Sequence, residues 1–335
     1  MKIYKLIFIN TMIMGTIISI SAYSWFSMWM GLEINMLSII PLLSNQKNIY
    51  SSESSMKYFI IQAIASLIVI MSAMLMLLEN EFITPPMNNM KLMLMDCALL
   101  TKLGAAPFHF WFPEVMEGLS WLNCLIMLTW QKIAPFMLIM NNNINQMLIN
   151  FIMISCLIIS TIMVFNQVSL RKIMAYSSIN HIAWMLTALN SSMSSWTFYF
   201  LIYCLMNISI TISFSIFNTF YMIQLFNSMN KNKQFKMLTM MNFLSMGGMP
   251  LFIGFLPKWL VIQSMTSENL HMMAVIMIMI TLIMLFIYIR ISSSLMILLT
   301  NEPKINKSKF NKQITFINFF NMSSLILSTL LFNLM

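Results

Sequence analysis

The sequence predicts an all-α integral membrane protein with about eleven transmembrane helices, two of which are broken. Of the 335 residues, 59% are hydrophobic and only 8% are charged, whereas a soluble domain carries about 25% charged residues to cover a wet surface. Acidic and basic residues are absent from six stretches, 6–32, 58–78, 133–170, 173–230, 272–289 and 313–335. Because one bilayer crossing takes about 20 apolar residues, the longer stretches hold two crossings each. The surface of the protein therefore faces lipid.

These crossings are predicted to be helices. Backbone groups in lipid find no water to bind, so only helices and closed β-barrels span a bilayer, and the sequence lacks the alternating hydrophobicity of barrel strands. The predicted spans are residues 3–21, 25–43, 57–78, 90–109, 119–140, 148–165, 173–190, 195–224, 238–256, 269–290 and 314–334. The first span is interpreted as a retained helix, although the lysines before it also suit a secretory signal. Residues 1–335 then form a single polytopic membrane domain.

The basic residues support this helix count. When the loops alternate between two sides of the membrane, Lys91 alone falls on one side. The other side receives fourteen: Lys2, Lys5, Lys47, Lys57, Arg171, Lys172, Lys231, Lys233, Lys236, Arg290, Lys304, Lys307, Lys309 and Lys312. This asymmetry is the positive-inside pattern, and it predicts that the N-terminus lies on the cytoplasm-equivalent side and the C-terminus on the opposite side. The net charge of +9 therefore reflects topology and lipid head groups, and we expect no nucleic-acid partner.

Five charged residues remain unexplained by this topology: Glu33, Asp96, Lys102 and Lys132 within predicted spans, and Lys258 near the end of one. A charge at the centre of a bilayer costs about 2.5–3.5 kcal/mol on insertion scales. A long lysine near a helix end can instead reach the interface at little cost, which suits Lys258 better than the other two lysines. A nearby carboxylate stabilises a buried ammonium group, and its withdrawal lets the lysine release a proton. We therefore expect a proton relay in which Glu33 pairs with Lys102, while Asp96 is expected at the interface.

Helix-breaking residues accompany two of these lysines. Lys102 is followed by Gly104 and Pro107, and Lys258 closes the run 246–257, which is rich in glycine and proline. Proline removes a backbone hydrogen bond and kinks a helix, and broken helices at membrane depth line wet cavities and ion sites. A packing kink would explain either break alone. The coincidence of two breaks with two lysines favours cavities.

Two histidines are candidate intermediate carriers, because imidazole exchanges protons near neutral pH. His109 follows Lys102 by seven residues, which puts both on one face of a continuous helix, and His181 lies among hydroxyl and amide side chains. A packing role is the alternative for each histidine. Glu114 and Glu117 are either a proton entry point or solvated side chains.

Redox and nucleotide motifs are absent from the sequence, which has neither a GxGxxG nor a Walker A pattern. The four cysteines, Cys97, Cys124, Cys156 and Cys204, form no CxxC pair, which is typical of small buried residues and not of metal sites. We therefore expect no cofactor and no metal in this chain, so that any electron carriers would lie in other subunits.

Four motifs, in this order along the chain, carry a family resemblance: Gly31-Leu-Glu33-Ile-Asn, Lys102-Leu-Gly-Ala-Ala-Pro-Phe-His-Phe-Trp, Leu128-Thr-Trp-Gln-Lys132 and Phe255-Leu-Pro-Lys258-Trp. They resemble the subunit 2 family of NADH–ubiquinone oxidoreductase, respiratory complex I, in its mitochondrially encoded animal form. The resemblance implies an antiporter-like fold with eleven helices. It also implies a proton-pumping module of the membrane arm, driven by electron transfer from NADH to ubiquinone in other subunits.

The resemblance also implies roles for individual residues. Glu33 becomes the switchable partner of Lys102, Lys132 the central relay, and Lys258 a group toward the exit. The relay histidines of the family fall at His109 and His181. The resemblance assigns no role to Asp96.

The implied partners are other complex I subunits, especially neighbouring antiporter-like and small membrane subunits, together with lipids. FMN, iron–sulfur clusters and ubiquinone are expected in those partner subunits. The implied location is the mitochondrial inner membrane, with the N-terminus on the matrix side and the C-terminus on the intermembrane-space side. The alternative is a subunit of a cation/proton antiporter, which shares the fold and the lysine chemistry. A channel or receptor without transport chemistry is a more distant alternative.

Overall fold

The computed structural model describes residues 3–45, 48–80, 88–142, 145–229, 233–250 and 252–297. These residues form fourteen α-helices: α1 (Ile3–Ser21), α2 (Trp25–Leu43), α3 (Ile49–Asn80), α4 (Asn88–Leu103), α5 (Trp111–Gly118), α6 (Trp121–Leu128), α7 (Trp130–Asn141), α8 (Gln146–Val164), α9 (Leu170–Ser191), α10 (Met193–Phe217), α11 (Met222–Met229), α12 (Lys233–Gly247), α13 (Phe255–Ser267) and α14 (His271–Ile297). The chain divides into two compact units, Met1–Ser155 and Cys156–Met335.

Many of these helices have the length and composition of membrane spans. Within the described ranges, seven segments are long and apolar enough to cross a bilayer: Ile3–Ser21, Trp25–Leu43, Ile49–Leu77, Trp121–Asn141, Gln146–Val164, Met193–Phe217 and His271–Ser294. Large apolar side chains stay exposed along them, for example Leu67 on α3 and Phe286 on α14, as expected for surfaces in contact with lipid. The protein is therefore an all-α membrane protein. The helices α4 and α12 are absent from this group because they end after 16 and 15 residues.

Ten of the eleven predicted spans overlap helices of the structure, and the eleventh, 314–334, lies outside the described residues. The predicted loop at 110–118 is wrong, because these residues contain the helix α5. Hydropathy marks only the most apolar part of a helix, and α5 includes the acidic residues Glu114 and Glu117. The predicted span 195–224 is too long, because α10 ends at Phe217 and is followed by Asn218 in the left-handed conformation.

Small residues bring α1 and α2 into close contact in the first unit. A Cβ atom added at Gly15 would lie 2.8 Å from the backbone nitrogen of Asn35, and one added at Gly31 would lie 2.8 Å from the Cα atom of Ser19. Helices in membranes associate through such small residues, since lipid provides no hydrophobic force between them. This contact fixes the part of α2 that carries Glu33, two residues after Gly31.

The break after α4 is a Schellman motif, in which a left-handed residue ends the helix and two backbone bonds close it. Gly104 has a φ angle of +74°. Its N–H donates to the carbonyl of Thr101 over 3.1 Å, and the N–H of Ala105 donates to the carbonyl of Leu100 over 3.0 Å. The chain then passes through Pro107, joined to Ala106 by a cis peptide bond, before α5 begins at Trp111.

The break after α12 repeats this geometry in the second unit. Gly248 has a φ angle of +81°, and its N–H donates to the carbonyl of Ser245 over 3.0 Å while the N–H of Met249 donates to that of Leu244 over 3.3 Å. The carbonyl of Gly247, at the helix end, instead accepts a hydrogen bond of 2.9 Å from the Nζ of Lys258. Both predicted helix breaks are therefore present.

A third break, which the sequence analysis did not predict, divides residues 119–140 into α6 and α7. Thr129 joins them with φ −112° and ψ −72°, outside the usual helical values. Its hydroxyl donates to the carbonyl of Leu125 over 2.8 Å, an internal bond of the kind that bends helices. Lys132 thus lies at the start of a new helix.

Replacing Gly31 by valine is expected to lower the thermal unfolding midpoint of the detergent-solubilised protein. The branched side chain would overlap the Ser19 backbone and separate α1 from α2, and overpacking of this kind costs about 1–3 kcal/mol. The control is Leu37→Val on the same helix, where the side chain is 56% exposed. Equal midpoints for the two variants would contradict the close contact.

Replacing Gly248 by alanine is expected to destabilise the protein and displace Lys258. A left-handed backbone costs an L-residue about 1–2 kcal/mol, and the new Cβ atom would lie 2.8 Å from the Lys258 Nζ. Thermal unfolding measures the loss. The matched control is Gly247→Ala, whose Cβ atom would approach nothing nearer than the Tyr288 ring at 3.3 Å. A smaller drop in the unfolding midpoint for Gly248→Ala than for this control would show that the left-handed glycine does not stabilise the break.

Candidate functional site

The first unit contains a small cavity lined by both Lys102 and Lys132. Its other lining residues are Leu32, Asn35, Met36, Tyr58, Gln62, Leu103, Trp111, Phe112, Met127, Gln131 and Pro135. The space open to the centre of a water molecule is about 20 Å³, and about 10–15 Å³ suffices for one water. Lys102 is 7% exposed and Lys132 is 2% exposed, so both lysines are enclosed beside a space that accommodates water.

Amide and hydroxyl groups form one wall of this cavity. The Asn35 Nδ2 donates to the Gln131 Oε1 over 3.1 Å, and the Gln131 Nε2 donates to the Asn35 Oδ1 over 3.0 Å. The Tyr58 hydroxyl donates to the same Gln131 oxygen over 3.3 Å. Satisfied buried polar groups of this kind fix their geometry and remain able to bind water. The cavity wall is therefore a rigid polar surface that joins α2, α3 and α7.

Lys102 lies in the last turn of α4, directly before the break. Its own backbone carbonyl accepts a hydrogen bond of 3.4 Å from the Gln62 Nε2, and the Thr101 carbonyl accepts one of 3.1 Å from the Trp111 indole nitrogen. The C-terminal end of a helix carries partial negative charge and favours a nearby cation. The break therefore places Lys102 at the end of α4, beside the cavity that it lines.

Glu33 is half-buried on α2. Its carboxylate interacts electrostatically with the Lys102 ammonium group, although no direct ion pair joins these two described residues. The strength of this interaction depends on whether the Glu33 carboxyl group is charged. Glu33 is not among the residues that line the cavity, and its pairing with Lys102 and its role in proton transfer stay predictions.

Lys132 occupies the first turn of α7. Its Nζ lies 5.9 Å from the centre of the Phe112 ring, within the range at which a cation is attracted to an aromatic face. Pro135, three residues later in the same helix, has no N–H group and so deprives the Gln131 carbonyl of its usual helical donor. The lysine is thus held between an aromatic face and a helix start rich in polar groups.

In the second unit, the break after α12 holds Lys258. This residue lies in the first turn of α13, is 8% exposed, and donates to the Gly247 carbonyl over 2.9 Å. Its Nζ also lies 5.9 Å from the centre of the Trp184 ring on α9. The interface explanation does not describe Lys258, because its ammonium group points into the protein and binds the broken helix.

His181 lies on α9, three residues before Trp184. Its Nδ1 is 2.9 Å from the Tyr199 hydroxyl, and its ring centre lies 5.1 Å from that of Tyr203. On the same helix, the Asn180 Oδ1 and the Trp184 Nε1 are buried and have no hydrogen-bond partner. Buried polar atoms generally require a partner, so this side of α9, which packs against α13, suits bound water.

The geometric reason given for His109 is wrong. The helix α4 ends at Leu103, so His109 lies in the segment between α4 and α5 and shares no helical face with Lys102. Its Nδ1 lies 3.3 Å from the Pro107 carbonyl, and its buried Nε2 has no partner. The left-handed Gly104 redirects the chain and thereby removes the expected seven-residue spacing, while the relay role itself stays a prediction.

Asp96 lies inside the protein, and its expected position at the membrane interface stays a prediction. Its side chain is 0% exposed and accepts a hydrogen bond of 2.8 Å from the Asn142 Nδ2. A neighbouring amide 46 positions away in the chain offers it a polar partner in the interior, which spacing within one helix cannot show.

Glu114 belongs to α5 and not to a loop. It pairs with the exposed Lys57 over 3.0 Å, and Lys57 pairs with Glu53 over the same distance. Exposed ion pairs contribute about 0–1 kcal/mol. Glu114 therefore takes part in an exposed ion pair, and its role as a proton entry point stays a prediction.

The sequence analysis missed several polar residues inside the protein. The amides Asn35, Gln62 and Gln131 line the cavity, and their signal was the presence of amide side chains within otherwise apolar spans. Lys236, assigned above to a loop, lies in α12 with its Nζ buried and without a hydrogen-bond partner. The predicted loop boundary at residue 237 hid this lysine, because α12 already begins at Lys233.

Comparison with known proteins identifies the family. Residues 22–286 match the family of NADH:quinone oxidoreductase/Mrp antiporter transmembrane proteins. The NADH-ubiquinone oxidoreductase chain 2 of Anopheles gambiae is 46% identical over 344 aligned residues, which cover 100% of this chain and 99% of that relative.

Two solved structures share the fold at low identity. A chain of respiratory complex I from Thermus thermophilus with bound aureothin superposes with a TM-score of 0.84 at 19% identity, over 96% of this chain and 79% of that one. A chain of the Mrp complex from a Dietzia species gives 0.74 at 13% identity, over 90% and 62%. The fold is thus antiporter-like, and the chain belongs to the NADH-ubiquinone oxidoreductase chain 2 family.

Proposed function

We propose that this chain is a core membrane-arm subunit of a proton-pumping NADH:ubiquinone oxidoreductase, in which protons move through a buried relay of lysine, glutamate and histidine side chains. The observation that supports this proposal most directly is that Lys102 and Lys132 line one polar cavity with room for water. Two buried lysines that line one cavity with room for water can exchange a proton through it, whereas lysines used only for packing or topology have no reason to share a cavity.

The first step of the relay uses Glu33. While its carboxylate is ionised, it stabilises the protonated Lys102 through their electrostatic interaction. When Glu33 is neutralised or moves away, burial favours the neutral amine, and Lys102 releases its proton to the cavity. The amine of Lys132 takes up that proton and becomes the ammonium form, so that one proton has moved and charge is conserved.

The second unit contributes Lys258 and His181 to the proposal. The Gly247 carbonyl accepts a hydrogen bond from Lys258 in either protonation state, because the neutral amine keeps two N–H donors. His181 exchanges protons near neutral pH and lies one helical turn from Trp184, whose ring Lys258 approaches. We assign Lys258 to the exit end on the family resemblance, and His109 and His181 to intermediate positions.

The energy source lies in other subunits. The chain 2 relatives are named as parts of NADH-ubiquinone oxidoreductases, so we infer that partner subunits carry FMN, iron–sulfur clusters and ubiquinone. Neighbouring antiporter-like subunits, small membrane subunits and lipids cover the apolar helix faces. The chain itself takes part in proton movement and not in electron transfer.

We further propose that the chain forms one polytopic domain of eleven transmembrane helices in the mitochondrial inner membrane. The fourteen-to-one distribution of basic residues supports this count and a matrix-side N-terminus. The C-terminus then lies in the intermembrane space.

A subunit of a cation/proton antiporter remains the second candidate, because the likeness to a chain of the Mrp complex extends over 90% of this chain. That likeness concerns the fold alone. The 46% identity to an NADH-ubiquinone oxidoreductase chain over full length favours the complex I function. Purification discriminates between them, since a complex I subunit copurifies with flavin and iron–sulfur subunits.

The variant Glu33→Gln is expected to lower NADH-driven proton pumping severalfold, because glutamine has the same shape but cannot switch the charge beside Lys102. The measurement is the ratio of protons moved to NADH oxidised in sealed vesicles. The same change at the exposed Glu53, which pairs with Lys57, is the control and should leave this ratio intact. Normal pumping by Glu33→Gln in a fully assembled complex would exclude the switch.

The variant Lys132→Met is expected to stop proton transfer through the cavity, because methionine fills the space of the lysine stem but carries no proton. The same vesicle assay measures the loss, with assembly checked by native electrophoresis. Lys57→Met is the control, since this lysine is exposed and forms a surface ion pair. Equal pumping by the two variants would remove Lys132 from the relay.

A further inference from the structure

A buried acidic residue, Asp96, lies outside the cavity that holds the two lysines. Asp96, near the middle of α4, and Asn142, directly after α7, are both buried, and neither lines the cavity that holds Lys102 and Lys132. One hydrogen bond joins them, from the Asn142 Nδ2 to the Asp96 Oδ1 over 2.8 Å. The remaining oxygens, Asp96 Oδ2 and Asn142 Oδ1, are both buried without a hydrogen-bond partner.

This pattern is unfavourable for an ionised aspartate. A carboxylate only accepts hydrogen bonds, and an amide oxygen also only accepts, so both remaining oxygens need a donor that neither can provide. A buried charge further requires a paired cation. A single proton on the Asp96 Oδ2 corrects both defects, since it removes the charge and provides a donor for the Asn142 Oδ1.

Among the described residues, the basic, phenolic and thiol groups on the helices packed against α4 have contacts of their own or are acids themselves. Lys57 on α3 forms ion pairs with Glu53 on the same helix and with Glu114 on α5. Tyr58 on α3 and Lys132 on α7 line the lysine cavity. On α4 itself, the Lys91 Nζ donates to the Leu75 carbonyl over 2.6 Å, and the neighbouring titratable group is the thiol of Cys97, which is itself an acid.

We propose that Asp96 and Asn142 form a proton-binding site, a carboxylic acid and an amide joined by two hydrogen bonds. The Asn142 Nδ2 donates to the Asp96 Oδ1, and the protonated Oδ2 donates to the Asn142 Oδ1. The pair links the middle of α4 to the end of α7. These two helices also carry the cavity lysines, Lys102 and Lys132. Loss of the proton leaves a carboxylate facing an amide oxygen and removes one of the two bonds.

Infrared spectroscopy of the purified native assembly tests the proton directly. At neutral pH the wild-type protein is expected to show the C=O stretch of a protonated carboxyl group, and Asp96→Asn is expected to lose that band completely. The variant Asn142→Ala should keep the acid but move its band to higher frequency, because the hydrogen bond to its carbonyl oxygen is gone. The control Glu53→Gln changes an exposed carboxylate and should leave the band unchanged.

Thermal unfolding provides an independent measurement. In asparagine the amide NH2 group takes the place of the acid O–H donor, and the amide oxygen takes the place of the acid carbonyl acceptor. We therefore expect Asp96→Asn to unfold at the wild-type midpoint and Asp96→Leu to unfold at a lower temperature. Equal losses for these two variants would overturn the proposal, as would the absence of an infrared band that depends on Asp96. The unfolding midpoint of the wild-type protein is also compared in sodium chloride and choline chloride. A rise with sodium alone that disappears in Asp96→Asn would identify a cation site and overturn the proposal.

Discussion

The hydrogen bond between the Lys258 ammonium group and the Gly247 carbonyl shows the constraint on which this molecule is built. An ammonium group inside a membrane protein needs oxygen atoms, and a continuous helix keeps its carbonyl oxygens for itself. The left-handed Gly248 ends α12 and releases the Gly247 carbonyl, which then binds the lysine. Without this interruption, burying Lys258 would carry the full penalty of an unpaired charge.

The first unit meets the same constraint with a different arrangement. Its lysine precedes the left-handed glycine, so that Lys102 lies within the helix end, and the cavity beside it is walled by amides instead of free carbonyls. The reciprocal bonds between Asn35 and Gln131 fix this wall, and a fixed polar wall lets a proton change position without a large rearrangement. In the proposed relay, Glu33 acts on Lys102 through space, and its charge determines where the proton rests.

The local features of the site were predictable from sequence because their causes are local. Closely spaced glycine and proline residues favour the end of a helix, so the breaks beside Lys102 and Lys258 followed from neighbouring residues, whereas the isolated Gly31 and Pro135 stay inside their helices. The break at Thr129 has no glycine or proline beside it, and it was missed. The pairs Asn35–Gln131 and Asp96–Asn142 join residues 96 and 46 positions apart. Only tertiary packing brings such residues together, and no spacing rule reports it.

The burial of α9 has a consequence for how the protein is made. Residues 173–188 are all buried, and the helix carries Arg171 and Lys172 in its first turn and Asn180 and His181 in its middle. A segment of this composition has little tendency to leave the insertion machinery for lipid by itself. It must enter the bilayer in company with neighbouring helices, such as α10 and α13, that cover its polar side. Biogenesis of the second unit is therefore cooperative, with the helix that carries His181 dependent on partners synthesised after it.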